Sequence, residues 1–221
     1  MAPGVTRQDP EYAGQAGYTA AVLRVYDILV LRGAGHFAWR CPPGRLVGLY
    51  DDNVSSPHLD IGVGTGYALD RCRHRTPAPD ISLMDLNRNS LAAASSRLKR
   101  FEPKTHQGNA LEPFDLPADR FASVGMNWLL HCLPGDLASK SVVFGHCRSV
   151  LAPGGVVFGS TVLNGGVRHT PWSRLIMERL NAKGLFSNLD DDLDGLKNAL
   201  REHFAHTAVE VVGVVAMFSA R

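Results

Sequence analysis

Apolar positions change period along the chain. From Tyr18 to Leu31 they recur at helical spacing, at Ala21, Val22, Val25, Ile28 and Leu29, and Gly33 and Gly35 end the run. Residues 1–16 are rich in Gly, Pro, Gln and Ala without periodicity, and are expected to be a flexible tail. A short helix is predicted from Gly44 to Tyr50, after Pro42 and Pro43. Short apolar runs then alternate with helical faces. Residues 57–61 read as strand, 66–73 as helix and 80–85 as strand. Asn89 is expected to cap a helix through Arg100, with Leu91, Ala94 and Leu98 on one face. A short strand follows near Lys104–His106, then an apolar strand over Phe121–Met126. Pro134-Gly135-Asp136 starts a helix predicted to run to Leu151, and the turn Ala152–Gly155 leads into a strand over Val156–Val162. Helices over 171–183 and 191–204 come next, and two strands joined at Gly213 close the chain.

Strand and helix in this rhythm predict an α/β domain with a mostly parallel, doubly wound sheet and right-handed crossovers. The closing strands predict an antiparallel hairpin at its edge. No repeat or linker divides the chain, so a single domain is expected over 17–221.

Composition adds mainly exclusions. The net charge is +2 and the 23 Lys and Arg residues are scattered, so no nucleic-acid track is expected. The N-terminus lacks a secretory apolar region, and no apolar run reaches the ~20 residues that span a bilayer, so a cytosolic protein without membrane partners is expected. Cys41, Cys72, Cys132 and Cys147 show neither paired nor zinc spacing and are expected to be reduced, mostly buried thiols; no metal site is predicted.

The chemistry concentrates in HLDIGVGTGYALDR, residues 58–71. A dinucleotide turn reads G-x-G-x-x-G, but the position for its third glycine is Tyr67. The pattern is instead Asp60-x-Gly62-x-Gly64-x-Gly66. A carboxylate at Asp60 would repel a pyrophosphate and attract a cation, such as an ammonium or a sulfonium. HLDIGVGTG resembles the first motif of the class I S-adenosylmethionine-dependent methyltransferases, and further motifs follow in that family's order. Asp85 stands 19 residues past Gly66, QGNALEP holds Asn109-Ala110, MNWLLHCLPG follows the fourth strand, and LAPGG precedes the fifth. YDILVL, FAWRCP and LLHCLPG resemble, more narrowly, small single-domain microbial members.

The resemblance implies a Rossmann-like fold with an N-terminal helical lid over 17–54, a cofactor core over 55–165, substrate-side helices over 166–205 and a terminal hairpin over 206–221. It implies S-adenosylmethionine as cofactor, held by Asp60, Gly62, Gly64, Gly66, Asp85, Leu86, Asn109, Ala110 and Asn127, with Asp85 on the ribose hydroxyls and Asn109, where the family usually has Asp, on the adenine. Arg40 is expected to pair with the methionine carboxylate or to be a solvated arginine, and Tyr26 to close over the methyl site or to pack in the lid. His131 is expected to be the catalytic base or a substrate contact, or else to bond a backbone carbonyl. Tyr18, Trp39, His169 and Trp172 are candidate substrate contacts, with helix packing as the alternative.

The implied activity is methyl transfer to a small molecule, as in secondary metabolism. The alternative is a protein on the same fold that binds the cofactor or a partner and transfers nothing. A nucleic-acid enzyme is disfavoured because MNWLL lacks the N-P-P-aromatic signature, and a metal-dependent one because no acids cluster there. A homodimer through the N-terminal helix is compatible with the sequence.

Overall fold

A computed structural model describes residues 37–221. The helix expected over Tyr18–Leu31 lies outside these residues, and Tyr18 and Tyr26 with it.

The chain builds a seven-stranded sheet flanked by helices. The strands are β1 (His58–Ile61), β2 (Ile81–Asp85), β3 (Lys104–Gln107), β4 (Phe121–Asn127), β5 (Leu151–Val162), β6 (Thr207–Val212) and β7 (Val215–Ala220). Their order is β3-β2-β1-β4-β5-β7-β6. The first five pair in parallel. β7 runs antiparallel against β5 and against β6, which puts the expected hairpin at the edge. The helices are α1 (Pro43–Asn53), α2 (Tyr67–Arg71), α3 (Arg88–Arg97), α4 (Leu137–Lys140), α5 (Val142–Val150), α6 (Pro171–Ala182) and α7 (Leu193–His203). β1 is buried at every position, as befits a central strand covered on both faces. One face packs Leu59, Met126, Val143, Phe144 and Leu200; the other packs Leu69, Leu83, Ala94, Leu98 and Phe158.

Three expectations need correction. The cap of α3 is Asn87, whose side chain accepts from the Asn89 N–H at 2.8 Å, so the helix starts earlier than expected. The helix expected from Pro134 to Leu151 is two helices. The Ser141 N–H turns back to the Ala138 carbonyl, and the Lys140 side chain is drawn inward to a buried carboxylate. β5 begins at Leu151 rather than Val156. Leu151 pairs with Phe121, and the register then jumps so that Val156 pairs with Ser123; the intervening residues bulge at Gly154, whose φ is +76°.

Among the described residues no helix is long and apolar enough to cross a membrane. Cys41, Cys72 and Cys147 are buried, Cys132 is half-buried, and none forms a disulfide.

Candidate active site

The strand order reverses between β1 and β4, and crevices for ligands open at the carboxyl ends of such strands. A cavity lies there. Its floor is Asp60 and the loop Gly62–Gly66; one wall is Asp85, Leu86 and Asn87; another is Gly108–Ala110. Asn127–Leu129, Cys132 and Leu133 close the far side, and Leu46 and Tyr50 reach in from α1.

The glycine loop is shaped by backbone geometry. Gly62, Gly64 and Gly66 have φ of +67°, +51° and +70°, a region that side chains with a Cβ avoid. At Gly66 a Cβ would also press on Ala94 and Leu98 at 3.3 Å, so the absence of a side chain lets α3 pack against the loop.

Two carboxylates border the cavity. Asp60 is buried, and its Oδ1 accepts a hydrogen bond from the Tyr50 hydroxyl at 2.7 Å. Asp85 ends β2, and its Oδ1 accepts from the Asn87 N–H at 2.8 Å. Burial pushes the Asp85 carboxyl up to about 6, against the backbone N–H groups of Asn87, Gly64 and Val63, and the nearby Asp60 charge adds to the rise. Asn109 holds its own turn: its Oδ1 accepts from the Leu111 N–H at 3.0 Å. Asn127 accepts from the Ser160 hydroxyl, which fixes its side chain at the end of β4. Trp128 then takes a left-handed φ of +58° while its N–H donates to the Ser160 carbonyl at 2.8 Å. Positive φ at a bulky residue is costly and is typical of ligand-facing turns.

All nine of the core residues expected to contact the cofactor, from Asp60 to Asn127, line this one cavity. Of the expected substrate-side residues, those that are described do not. His131 is 2% exposed; its Nδ1 accepts from the Val162 N–H at 3.2 Å, and Phe186 packs on its ring at 4.3 Å. Burial, with Lys140 nearby, pushes its pKa down to about 3. It does not line the cavity; its contacts are with the backbone of β5 and with Phe186. Trp39 is buried and stacked on Phe186, and its carbonyl accepts from the Val214 N–H at 3.0 Å, which ties it to the terminal hairpin. Arg40 is exposed beside Gly213, away from the cavity. His169 bonds the Asn164 carbonyl at 3.0 Å and Ser173 at 3.2 Å, bracing the start of α6. Trp172 projects outward, 68% exposed.

The sequence reading missed Tyr50, Asn87, Ser90 and Leu129 as lining residues. Tyr50 had a signal: it falls one helical turn after Leu46, on the apolar face of α1. A second omission is the buried pair of Lys140 and Asp191. Lys140 Nζ donates to both Asp191 oxygens at 2.9 and 2.7 Å and to the Ser187 carbonyl at 2.6 Å. Within the run Asp190–Asp192, Asp192 caps α7 by accepting from the Gly195 N–H, but Asp191 turns into the core.

A family profile described as a methyltransferase domain matches residues 59–157. The chain is 42% identical over 207 residues to a demethylluteothin O-methyltransferase of Streptomyces thioluteus, covering 94% of this chain and 90% of that protein. It is 39% identical over 214 residues to a physcion biosynthesis cluster O-methyltransferase of Aspergillus chevalieri, covering 96% of each. Among solved structures, the complex of DhpI with S-adenosylhomocysteine superposes with a TM-score of 0.68 at 18% identity, over 98% of both chains, which establishes the shared fold.

Proposed function

Since this chain belongs to the class I S-adenosylmethionine-dependent methyltransferases and acts on small molecules, we propose that it methylates an oxygen of a small secondary metabolite. Its relatives named for O-methylation support the choice of oxygen. The observation that carries the assignment is the single cavity shared by Asp60, the three left-handed glycines and Asp85.

The donor set suits the cofactor. Asp85 offers a carboxylate to the ribose hydroxyls, as a charge-assisted acceptor. Asp60 offers negative charge to the methionine ammonium. The space over Gly64, where a Cβ would meet no atom of the described residues within 4 Å, admits the methionine chain to the backbone. Gly108, Asn109 and Ala110 flank the adenine, with Leu86 and Asn127 completing the contacts. When bound, S-adenosylmethionine supplies a methyl group on an already activated sulfonium.

The chain's own contribution is alignment. Holding two reactants in line contributes about 7 to 11 kcal/mol to barrier lowering without any acid or base. With His131 sealed in the core, no base is assigned to that residue, and positioning is the main service of the wall Asn127–Leu129. The same reading makes the chain from residue 17 one domain, with the helices after β5 on the substrate side. It also makes the protein a cytosolic enzyme without a nucleic-acid partner.

Transfer of tritiated methyl from S-adenosylmethionine to a panel of hydroxylated aromatic and enolic metabolites tests the proposal. Labelled methyl ethers are expected. Label on nitrogen or sulfur acceptors alone would overturn the choice of oxygen, and binding of the cofactor without any turnover would favour the non-catalytic alternative.

A further inference from the structure

Beneath the cavity a chain of buried polar side chains crosses the sheet. On β4 the Ser123 hydroxyl accepts from the Ser55 N–H at 2.8 Å and donates to the Ser55 carbonyl at 2.7 Å. A serine hydroxyl has one proton, and this one is spent. The third contact of that oxygen, His58 Nδ1 at 2.8 Å, therefore has the imidazole as donor. The other ring nitrogen, Nε2, is buried with no hydrogen-bond partner among the described residues and faces Asp60 Oδ1 at 3.7 Å. That oxygen already accepts from Tyr50.

An imidazole with a single proton would set two lone pairs against each other in a dry enclosure. A second proton, on Nε2, turns the same contact into an ion pair. Neither group has room to turn away. Phe158 stacks on the His58 ring at 5.8 Å and meets Tyr50 edge-on at 4.9 Å. Gly125 adjoins three of these side chains: a Cβ there would lie 2.7 Å from Asp60 Oδ1, 3.2 Å from His58 Cε1 and 3.2 Å from Phe158 Cζ. Tyr50 is the one hydrogen-bond partner of the Asp60 side chain among the described residues.

We propose that His58 is a positioning residue of the cofactor site: as an imidazolium behind Asp60 it keeps that buried carboxylate ionised, and with Tyr50 it engages Oδ1 so that the other oxygen serves the ligand's ammonium. This rests on the reading of Asp60 as a cofactor contact. The other titratable groups that interact with the pair are Tyr50 of α1, Cys72 and His74 after α2, and Asp85 of β2; beyond them, Asp51 of α1 and Asp70 within α2 act on Cys72.

Removing the imidazolium leaves Asp60 buried without a counter-charge, and burial raises a carboxyl. Cofactor binding should then need a higher pH. The test is calorimetric titration with S-adenosylhomocysteine from about pH 5.5 to 9, on wild type and His58→Gln. Wild-type affinity should level off above about pH 7, once Asp85, at about 6, is ionised. In His58→Gln it should be about tenfold or more weaker at pH 7 and keep rising towards pH 9, a change of profile that a merely structural role would not produce. Superposable profiles would overturn the proposal. Nitrogen-15 spectra of the wild-type imidazole give a readout that does not depend on the variant folding: both His58 nitrogens protonated at pH 7 is the expected result, and one bare nitrogen overturns it. Wild type that binds no S-adenosylhomocysteine at any pH would instead overturn the reading of the cavity.

Discussion

Replacing Asp85 by Asn removes charge while keeping the shape of the end of β2. The Asn87 N–H can still donate to the amide oxygen in place of Asp85 Oδ1, so the turn into α3 is retained. What is lost is the charge-assisted acceptor for two ribose hydroxyls. Hydrogen bonds to charged groups contribute about 1.5 to 3 kcal/mol, which corresponds to a Kd about 10- to 150-fold weaker. The raised pKa adds a second signature with a definite sign. The carboxylate is the accepting form, and at about 6 it is roughly nine-tenths ionised at pH 7 and roughly one-tenth at pH 5. Wild-type affinity for S-adenosylhomocysteine should therefore fall about tenfold per pH unit below 6, whereas Asp85→Asn should lose that step. Isothermal titration across this range reads both effects. A wild-type profile flat from pH 7 to 5, or an Asp85→Asn Kd equal to wild type, would refute the placement of the ribose on Asp85.

Three further outcomes follow from the geometry. Gly64→Ala should cost about 1 to 2 kcal/mol of stability through its left-handed φ of +51°; because the new Cβ meets no atom of the described residues, cofactor affinity measured on the folded variant should fall as well only if a ligand fills that space. Lys140→Met should destabilise by about 3 to 5 kcal/mol in urea melts, since it strands Asp191 in the core; the double variant Lys140→Met with Asp191→Leu should recover much of that loss. Alkylation of the folded protein should reach Cys132 first, because Cys41, Cys72 and Cys147 are buried and burial pushes all three thiols up; S-adenosylhomocysteine should slow the reaction, as Cys132 lines the cavity, and equal labelling with and without ligand, read by mass spectrometry, would contradict this.

The fold was legible because its signals are local. Short apolar runs bounded by turn residues marked each central strand, and the glycine spacing after Asp60 marked a turn of left-handed backbone. The cofactor wall was legible for the same reason: Asp85, Asn109 and Asn127 each stand at or just beyond a strand's carboxyl end, and position in the sheet fixes position in the site. Side-chain direction off the strands was not. His131 stands two residues beyond Leu129 in the same turn after β4, yet the 3₁₀ turn at Leu130–Cys132 rotates it into the core. Asn87 and Asn89 are equivalent caps by residue type, and only the hydrogen bond of Asn87 onto the Asn89 N–H separates them. The Lys140–Asp191 pair joins residues 51 apart, and no periodicity carries information over that separation. In the structure it sits where the helix expected from Pro134 to Leu151 divides, and it takes Asp191 into the core.

The central claim is that this cavity holds the nucleoside of S-adenosylmethionine with its sugar on Asp85. A crystal structure with S-adenosylhomocysteine tests it most directly. The account predicts both ribose hydroxyls within about 3.2 Å of the Asp85 carboxylate, with the amino-acid end over Gly64. A nucleoside bound elsewhere, or a ribose turned away from Asp85, would contradict it.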